Sequence, residues 1–119
     1  MSHDKAALVT GGSRGIGRAV ALELGRLGYA VVVNYATRPE AADEVVALIR
    51  DAGGKAVAQR GDVGVAEDRA ALLDRTIAEF GRIDLLVNNA GITSQGRKDI
   101  LEATDGPTIW EIQLLAPKR

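Results

Sequence analysis

The sequence predicts an α/β fold with a doubly wound parallel sheet. Four short apolar segments alternate with three segments of helical periodicity, in the order β-α-β-α-β-α-β. This alternation is typical of parallel strands, because each parallel pair needs a long crossover that a helix usually supplies. A glycine-rich turn also leads directly from the first strand into the first helix, as in many sheets of this kind.

Four strands are predicted from apolar runs and β-branched residues. They are Lys5–Thr10, Tyr29–Asn34, Lys55–Arg60 and Ile83–Val87. The first two contain continuous apolar runs, which indicates burial on both faces of the sheet. Right-handed crossovers would place the first two helices on one face and the third on the other. The expected strand order is therefore 3-2-1-4.

Three helices are predicted from apolar residues at helical spacing. The first runs from the glycine turn to Gly28, the second begins at Pro39 and stops at Gly53, and the third spans Glu67–Phe80. Beyond these elements the periodicity fades. We expect a helical turn over Lys98–Thr104 and one more short helix over Thr108–Leu115.

The amino-acid composition limits the classes of protein and of site to which the chain can belong. The chain has 119 residues, 46% hydrophobic and 26% charged, with a net charge of -1, which is typical of a globular protein and gives no argument for binding nucleic acid or an anionic membrane. It has no cysteine, so disulfides, thiolate metal sites and thiol catalysis are excluded, and with His3 as its only histidine a histidine metal site is not expected. No apolar run resembles a signal peptide or a membrane span, so a cytoplasmic location is expected.

The glycine-rich segment Thr10–Gly17 is the strongest functional signal. It lies between a strand and a helix, where free backbone N–H groups and the helix dipole attract anions. Glycines at 11, 15 and 17 let the chain turn tightly and let a pyrophosphate approach the backbone. The alternative is a plain strand-to-helix turn, but three glycines in register with a βαβ unit favour a Rossmann-type dinucleotide site.

Three motifs together resemble those of short-chain dehydrogenases/reductases. Thr10–Gly17 resembles the family's T-G-x-x-x-G-I-G motif, Asn88–Gly91 its N-N-A-G signature, and Asp62–Val63 its adenine-binding dipeptide. The motifs occur in the family's order and on the matching elements, and the resemblance covers about Lys5 to Ala103. The sequence is most similar to those of reductases of the 3-oxoacyl-[acyl-carrier-protein] reductase type.

The resemblance implies a set of cofactor-binding residues. The glycines would line the pyrophosphate with loop contacts from their neighbours, and Asp62 would accept a hydrogen bond from the adenine amino group. Asn88, Ala90 and Gly91 would border the adenosine ribose and steady the central sheet. The implied residues are Gly11, Ser13, Arg14, Gly15, Ile16, Gly17, Asp62, Val63, Asn88, Ala90 and Gly91. An alternative for Asp62 is a helix N-cap or turn residue.

Charge at the end of the second strand favours NADP(H) over NAD(H). Sites selective for NAD place a carboxylate there to bond the ribose 2′-hydroxyl, whereas this chain has Asn34, followed by an acid-free segment 35–37. Arg14 and Arg38 lie near the expected place of a 2′-phosphate, and the guanidinium fork suits phosphate. We therefore add Asn34 and Arg38 to the cofactor-binding residues. The alternative for Arg38 is a solvated loop charge.

Catalysis is a separate question, because the resemblance implies a Tyr-x-x-x-Lys pair that acts as general acid or base. The two tyrosines, Tyr29 and Tyr35, are each followed four residues later by Val33 and Pro39, so the sequence contains no such pair. Without a proton donor, hydride transfer to a carbonyl is not supported. We therefore expect the isolated chain to bind the cofactor without catalysis, and leave its status as an enzyme open.

The chain is shorter than the family's pattern, and residues 105–119 depart from it. We expect a truncated Rossmann half-domain over residues 1–104 and a diverged tail over 105–119. An uncovered fourth strand would favour a homo-oligomer through the sheet face or edge, aggregation, or cover by the tail from Ile109 to Leu115. The alternative function is a non-catalytic dinucleotide-binding or dimerising module, either a pseudoenzyme or a truncated gene product.

Overall fold

A computed structural model describes residues 5–13 and 15–89, together with the backbone of residues 108–115. The elements follow the predicted alternation, with one addition at the end. They are β1 (Ala6–Thr10), α1 (Gly15–Arg26), β2 (Ala30–Tyr35), α2 (Pro39–Asp51), β3 (Lys55–Arg60), α3 (Ala66–Phe80), β4 (Arg82–Asn88) and β5 (Thr108–Leu115). No helix in these described ranges is both long and apolar enough to cross a membrane.

The strands form one sheet in the order β3-β2-β1-β4-β5. The first four are parallel, and Ala7 of β1 pairs with Val31 of β2 on one side and with Leu85 of β4 on the other. The predicted order 3-2-1-4 is confirmed. All five residues of β1 are buried, which explains why this central strand is a continuous apolar run ending in one threonine.

The last element corrects a prediction, because Thr108–Leu115 is a strand and the expected short helix was wrong. Its backbone pairs antiparallel with β4, from Asn88 opposite Thr108 to Arg82 opposite Leu115. The outer edge of β4 offers unpaired N–H and C=O groups, and a segment rich in β-branched and aromatic residues suits them. Periodicity cannot separate a short apolar strand from a short helix. Cover of the β4 edge by the tail was one of the expected outcomes, whereas the predicted turn over Lys98–Thr104 lies outside the described residues.

Helices pack on both faces of the sheet, as a doubly wound fold requires. On one face α1 and α2 cover the sheet with a cluster of buried residues that includes Leu24, Val45 and Ile49. On the other face α3 places Leu72 against Leu8, with partly buried side chains around them. The second cluster is the smaller one, so α3 depends on fewer buried side chains than the helices opposite.

Asp84 ties β4 to the start of β1. Its Oδ2 accepts hydrogen bonds from the Ala6 N–H at 2.8 Å and from Nε of Arg82 at 2.9 Å, and its Oδ1 accepts one from Nη2 of Arg82 at 2.8 Å. The Asp84 side chain is only 15% exposed. Burial raises the pKa of Asp84, but the hydrogen bonds from Arg82 and Ala6 outweigh it and hold the pKa below its usual value.

We expect Asp84→Asn to lower the free energy of unfolding by about 1–2 kcal/mol near neutral pH, because it weakens hydrogen bonds to a charged group. A lowered folded-state pKa stabilises the fold above the unfolded pKa of about 3.9, and this stabilisation is lost as pH falls through the folded pKa. The difference between the two proteins should therefore shrink in acid. Urea denaturation at about pH 7 and about pH 3 measures it.

Asp74→Asn is the matched control, because Asp74 is exposed on α3 and carries the same charge. We expect it to change the free energy of unfolding by no more than about 0.5 kcal/mol at either pH. A stability gap between the native chain and Asp84→Asn that stays the same in acid would contradict the assigned role of the Asp84 carboxylate.

Candidate functional site

An open cavity of about 570 Å³ lies where β1 and β2 end and α1 begins. The residues that line it come from the glycine turn, from the end of β2 and the segment after it, and from the residue that follows β4. They are Gly11, Ser13, Gly15, Tyr35, Ala36, Thr37, Arg38 and Asn89. Parallel α/β sheets bind ligands in this place, outside the carboxyl ends of the strands.

Two glycines give the turn its shape. Gly11 has φ 63° and Gly15 has φ 56°, both in the left-handed region that other residues rarely adopt. A Cβ added at Gly15 would have no heavy atom within 4 Å, so the backbone there faces open space. Because α1 begins at Gly15, its first N–H groups lack intrahelical acceptors and are available to an anion. Gly11, Gly15 and Ser13, three of the residues that the sequence suggests for cofactor binding, lie together at the cavity.

Gly17 has a different place from the other two glycines. It is buried in α1 and does not line the cavity. A Cβ at Gly17 would overlap the carbonyl oxygen of Gly11 and Nδ2 of Asn89. The absence of a side chain therefore lets α1 approach the strand ends closely, which is a packing requirement. Its neighbour Ile16 is 60% exposed in the first turn of the same helix.

Asn88 and Asn89 join the ends of β1 and β4. The Asn89 N–H donates to Oγ1 of Thr10 at 2.9 Å, and that hydroxyl donates to Oδ1 of Asn88 at 3.0 Å. Nδ2 of Asn89 also donates to the carbonyl oxygen of Gly11 at 3.1 Å. The predicted role of Asn88 in steadying the sheet fits these contacts. Our sequence reasoning did not assign Asn89, although its place in the Asn88–Gly91 motif was a usable signal.

The last residue of β2 and the segment after it form the second wall of the cavity. Tyr35, Ala36 and Thr37 line it beside the exposed Arg38, which directly precedes α2. Asn34 does not line the cavity, because its side chain is buried and its Oδ1 accepts a hydrogen bond from the Gly11 N–H at 3.0 Å. In the sequence, segment 35–37 was noted only for its lack of an acidic residue. Tyr35, Ala36 and Thr37 were therefore not predicted to line the cavity.

Asp62 and Val63 follow β3 and stand apart from the cavity lining. Oδ1 of Asp62 accepts a hydrogen bond from the Gly64 N–H at 2.8 Å, and its own N–H donates to Oδ2 of Asp68 at 2.8 Å. Asp62 is thus a turn residue, and the residue before α3 is Val65. The Asp62 side chain is exposed, so a turn role leaves it accessible to a ligand. Of the other predicted residues, Arg14, Ala90 and Gly91 lie outside the described residues.

The electrostatics of the cavity favour an anion. Among the described residues no Asp or Glu lines it, and Arg38 contributes a positive charge. The same part of the chain contains no group of three or more His, Cys, Asp or Glu side chains placed to hold a metal ion. A glycine turn, free helix N–H groups and an arginine are the groups that bind the phosphates of a nucleotide.

The parallel sheet, the glycine turn and the position of the cavity define the class as a Rossmann-type α/β fold. The family model for short chain dehydrogenases matches residues 5–115, and the chain belongs to that family. Members of this family bind nicotinamide dinucleotides.

Individual relatives agree with the family model. The chain is 50% identical over 99 residues to the short chain dehydrogenase/reductase nsrJ of Aspergillus novofumigatus, covering 82% of this chain and 38% of the relative. It is 55% identical over 87 residues to the 3-oxoacyl-[acyl-carrier-protein] reductase of Synechocystis sp., covering 73% of this chain and 35% of that protein. The predicted resemblance to such reductases is confirmed.

The same relation holds in three dimensions. The crystal structure of a dehydrogenase/reductase from Sinorhizobium meliloti 1021 superposes with a TM-score of 0.72 at 44% identity, covering 81% of this chain and 38% of that chain. The chain therefore spans little more than a third of the length of the relatives that it matches.

Proposed function

We propose that these residues bind NADP(H) as the cofactor-binding part of a carbonyl reductase of the 3-oxoacyl reductase type. The observation that carries this proposal is the cavity wall after β2, which contributes Arg38 and no carboxylate. A carboxylate at this wall would repel a 2′-phosphate, whereas a guanidinium can donate two parallel hydrogen bonds to it. The 3-oxoacyl-[acyl-carrier-protein] reductase among the relatives supports the reaction class.

The remaining residues suggest how the cofactor would be held. The pyrophosphate would lie against the backbone at Gly15 and the first N–H groups of α1, since Gly15 faces open space. The 2′-phosphate would lie by Arg38 and Arg14, and the exposed Asp62 would accept from the adenine amino group. Ser13 and the exposed Ile16 would add loop contacts beside the pyrophosphate, and Asn88, Ala90 and Gly91 would border the adenosine ribose.

When bound, the nicotinamide supplies or accepts a hydride. The 119 residues contain no Tyr-x-x-x-Lys pair, so we assign them cofactor binding and no proton transfer. Residues 1–104 form the proposed dinucleotide-binding half-domain, and residues 105–119 form the tail, of which Thr108–Leu115 joins the sheet as β5. A cytoplasmic location and a homo-oligomer through the sheet face or edge are part of the same proposal.

Thermal melting with NADP+, NAD+ and 2′-phospho-ADP-ribose tests the cofactor. We expect NADP+ and the phosphorylated fragment to raise the melting temperature and NAD+ to raise it little, since a ligand at a hundred times its Kd stabilises by about 2.7 kcal/mol. Arg38→Gln should weaken NADP+ binding about tenfold, because one charge-assisted hydrogen bond contributes about 1.5–3 kcal/mol.

Arg26→Gln is the control for the loss of one charge, because Arg26 lies at the other end of α1 and pairs with Glu23. Arg26→Gln should leave the affinities for NADP+ and NAD+ within about twofold of those of the native chain. Equal stabilisation by NAD+ and NADP+ would overturn the cofactor preference, and no stabilisation by any of the ligands would overturn the binding function. A non-catalytic dinucleotide-binding module would give the same shifts and no turnover.

A further inference from the structure

We propose that Asn34 is a positioning residue that sets the shape of the glycine turn by linking the turn to the end of β3. Only a side chain that both accepts a hydrogen bond and donates one can make this link. This inference rests on the proposed function, because the turn it shapes is the one that would bind the pyrophosphate. The role differs from that of a ribose-binding group at the end of β2, because the Asn34 side chain is buried and does not line the cavity.

The contacts of Asn34 run in two directions. Towards the glycine turn, its Oδ1 accepts from the Gly11 N–H at 3.0 Å and its backbone oxygen accepts from the Gly12 N–H at 3.0 Å. Towards the end of β3, its Nδ2 donates to the carbonyl oxygens of Gly61 at 3.0 Å and Gln59 at 3.2 Å. The residue is only 2% exposed, so these protein groups replace water as its partners.

This arrangement decides which backbone groups of the turn can meet a ligand. The N–H groups of Gly11 and Gly12 are both occupied by Asn34, so they are not free to bind a phosphate. The N–H groups at the start of α1, from Gly15 onward, lack intrahelical acceptors and are available to an anion. Asn34 therefore directs the anion towards the helix N-terminus and holds the left-handed conformation of Gly11 in place.

The chemistry requires an amide at this position. An aspartate has the same shape and could still accept from the Gly11 N–H, but its second oxygen would face the carbonyl oxygens of Gly61 and Gln59. Two acceptors in contact repel each other, so burial and the facing carbonyl oxygens would raise the pKa of the aspartate. A protonated aspartic acid, in contrast, can donate through its O–H and so reproduces the amide.

The same residue links both walls of the cavity. Asn34 precedes Tyr35, whose carbonyl oxygen accepts from the Gly61 N–H at 3.0 Å. The turn at Gly11, the wall that begins at Tyr35 and the segment that leads to Asp62 are thus joined around one buried side chain. Loss of the amide should change cofactor affinity and the local order of the glycine turn together.

The test compares the 119-residue chain with its Asn34→Asp variant at about pH 8 and about pH 5, on either side of the raised pKa expected for a buried carboxyl group. Two quantities are measured: hydrogen-exchange protection of the Gly11 and Gly12 amides relative to Val31 and Val32 in the core, and the Kd for NADP+. Each comparison is made with the native chain at the same pH. Ala71→Asp, which adds the same charge on the exposed surface of α3, is the control.

At about pH 8 we expect Asn34→Asp to lose at least about tenfold in Gly11 protection relative to the core and at least about tenfold in NADP+ affinity. At about pH 5 both should return to within about threefold of the native chain, because the protonated acid can donate again. A purely structural defect would lower protection in the core equally and would not recover selectively. Ala71→Asp should change neither quantity.

The outcomes separate this inference from the proposed function. Native-like Gly11 protection in Asn34→Asp at about pH 8 would overturn the inference, even where the native chain binds NADP+. Loss of Gly11 protection in a chain that never binds NADP+ would support the positioning role and overturn the proposed function. Should the variant be unfolded at about pH 8, folding on acidification would support the inference and failure to fold at about pH 5 would overturn it.

Discussion

Gly17→Ala is expected to lower the free energy of unfolding by about 3 kcal/mol, at the upper end of the cost of overpacking a close contact. Its new methyl group would overlap the carbonyl oxygen of Gly11 and Nδ2 of Asn89. Both neighbours are held, because Nδ2 of Asn89 donates to the carbonyl oxygen of Gly11, so neither can move without weakening that hydrogen bond. NADP+ binding should be lost as well, because α1 would shift away from the turn.

The sign of this effect makes the measurement decisive. In an ordinary helix interior, replacing glycine by alanine stabilises by about 1 kcal/mol, so propensity alone predicts the opposite result. Urea denaturation gives the free energy of unfolding, and melting with NADP+ gives the loss of binding. A variant as stable as the native chain would mean that α1 does not approach the strand ends this closely.

Gly15→Ala is the matched control within the same turn. A Cβ at this position meets no atom within 4 Å, so its cost is only the left-handed backbone, about 1–2 kcal/mol. We expect this variant to fold and to bind NADP+ more weakly, because the methyl group occupies open space at the cavity wall. The two variants therefore separate a glycine required for packing from a glycine required for ligand approach.

Leu72→Ala should have the second large effect, a loss of about 3 kcal/mol in the free energy of unfolding. Leu72 is 1% exposed and is the side chain through which α3 enters the smaller core cluster, beside Leu8 and Ile83. It also packs under the turn after β3, where a Cβ at Gly61 would lie 3.3 Å from its Cγ. Truncation leaves a cavity on a face that has few other buried side chains to fill it.

Leu48→Ala on α2 is the control, because Leu48 is 41% exposed and loses the same atoms from the same kind of element. Helix propensity cancels between the two variants, so their difference reports burial alone. We expect the control to cost less than about 1 kcal/mol in urea denaturation. Equal losses in the two variants would contradict the packing of α3 against this face of the sheet.

Much of the fold could be predicted because its signals are local. Continuous apolar runs identified β1 and β2, Pro39 marked the start of α2, and Gly53, which has a φ of 97°, marked the end of that helix. The strand order then followed from the handedness of crossovers. The glycine turn was also readable, since its spacing requires both a tight turn and a helix directly after it.

The different roles of the residues within the site could not be predicted from the sequence. Gly15 and Gly17 have the same residue type and belong to one motif, yet one faces open space and the other is packed against Asn89. Asn34 was predicted to meet the cofactor because it ends β2, but its side chain turns inward. Such differences depend on which strands lie next to each other, and a single segment does not contain that information.

The alternation of strands and helices, the position of the glycine turn, the lack of an acid after β2 and the family of the chain could all be predicted from the amino-acid sequence. Three features depended on tertiary contacts: Thr108–Leu115 is a strand, Asn89 closes the turn, and Asn34 joins the turn to the end of β3. The physical reason is the range of the forces involved. Propensity and turn geometry act within a few residues, whereas an open sheet edge or a buried amide finds its partners far along the chain.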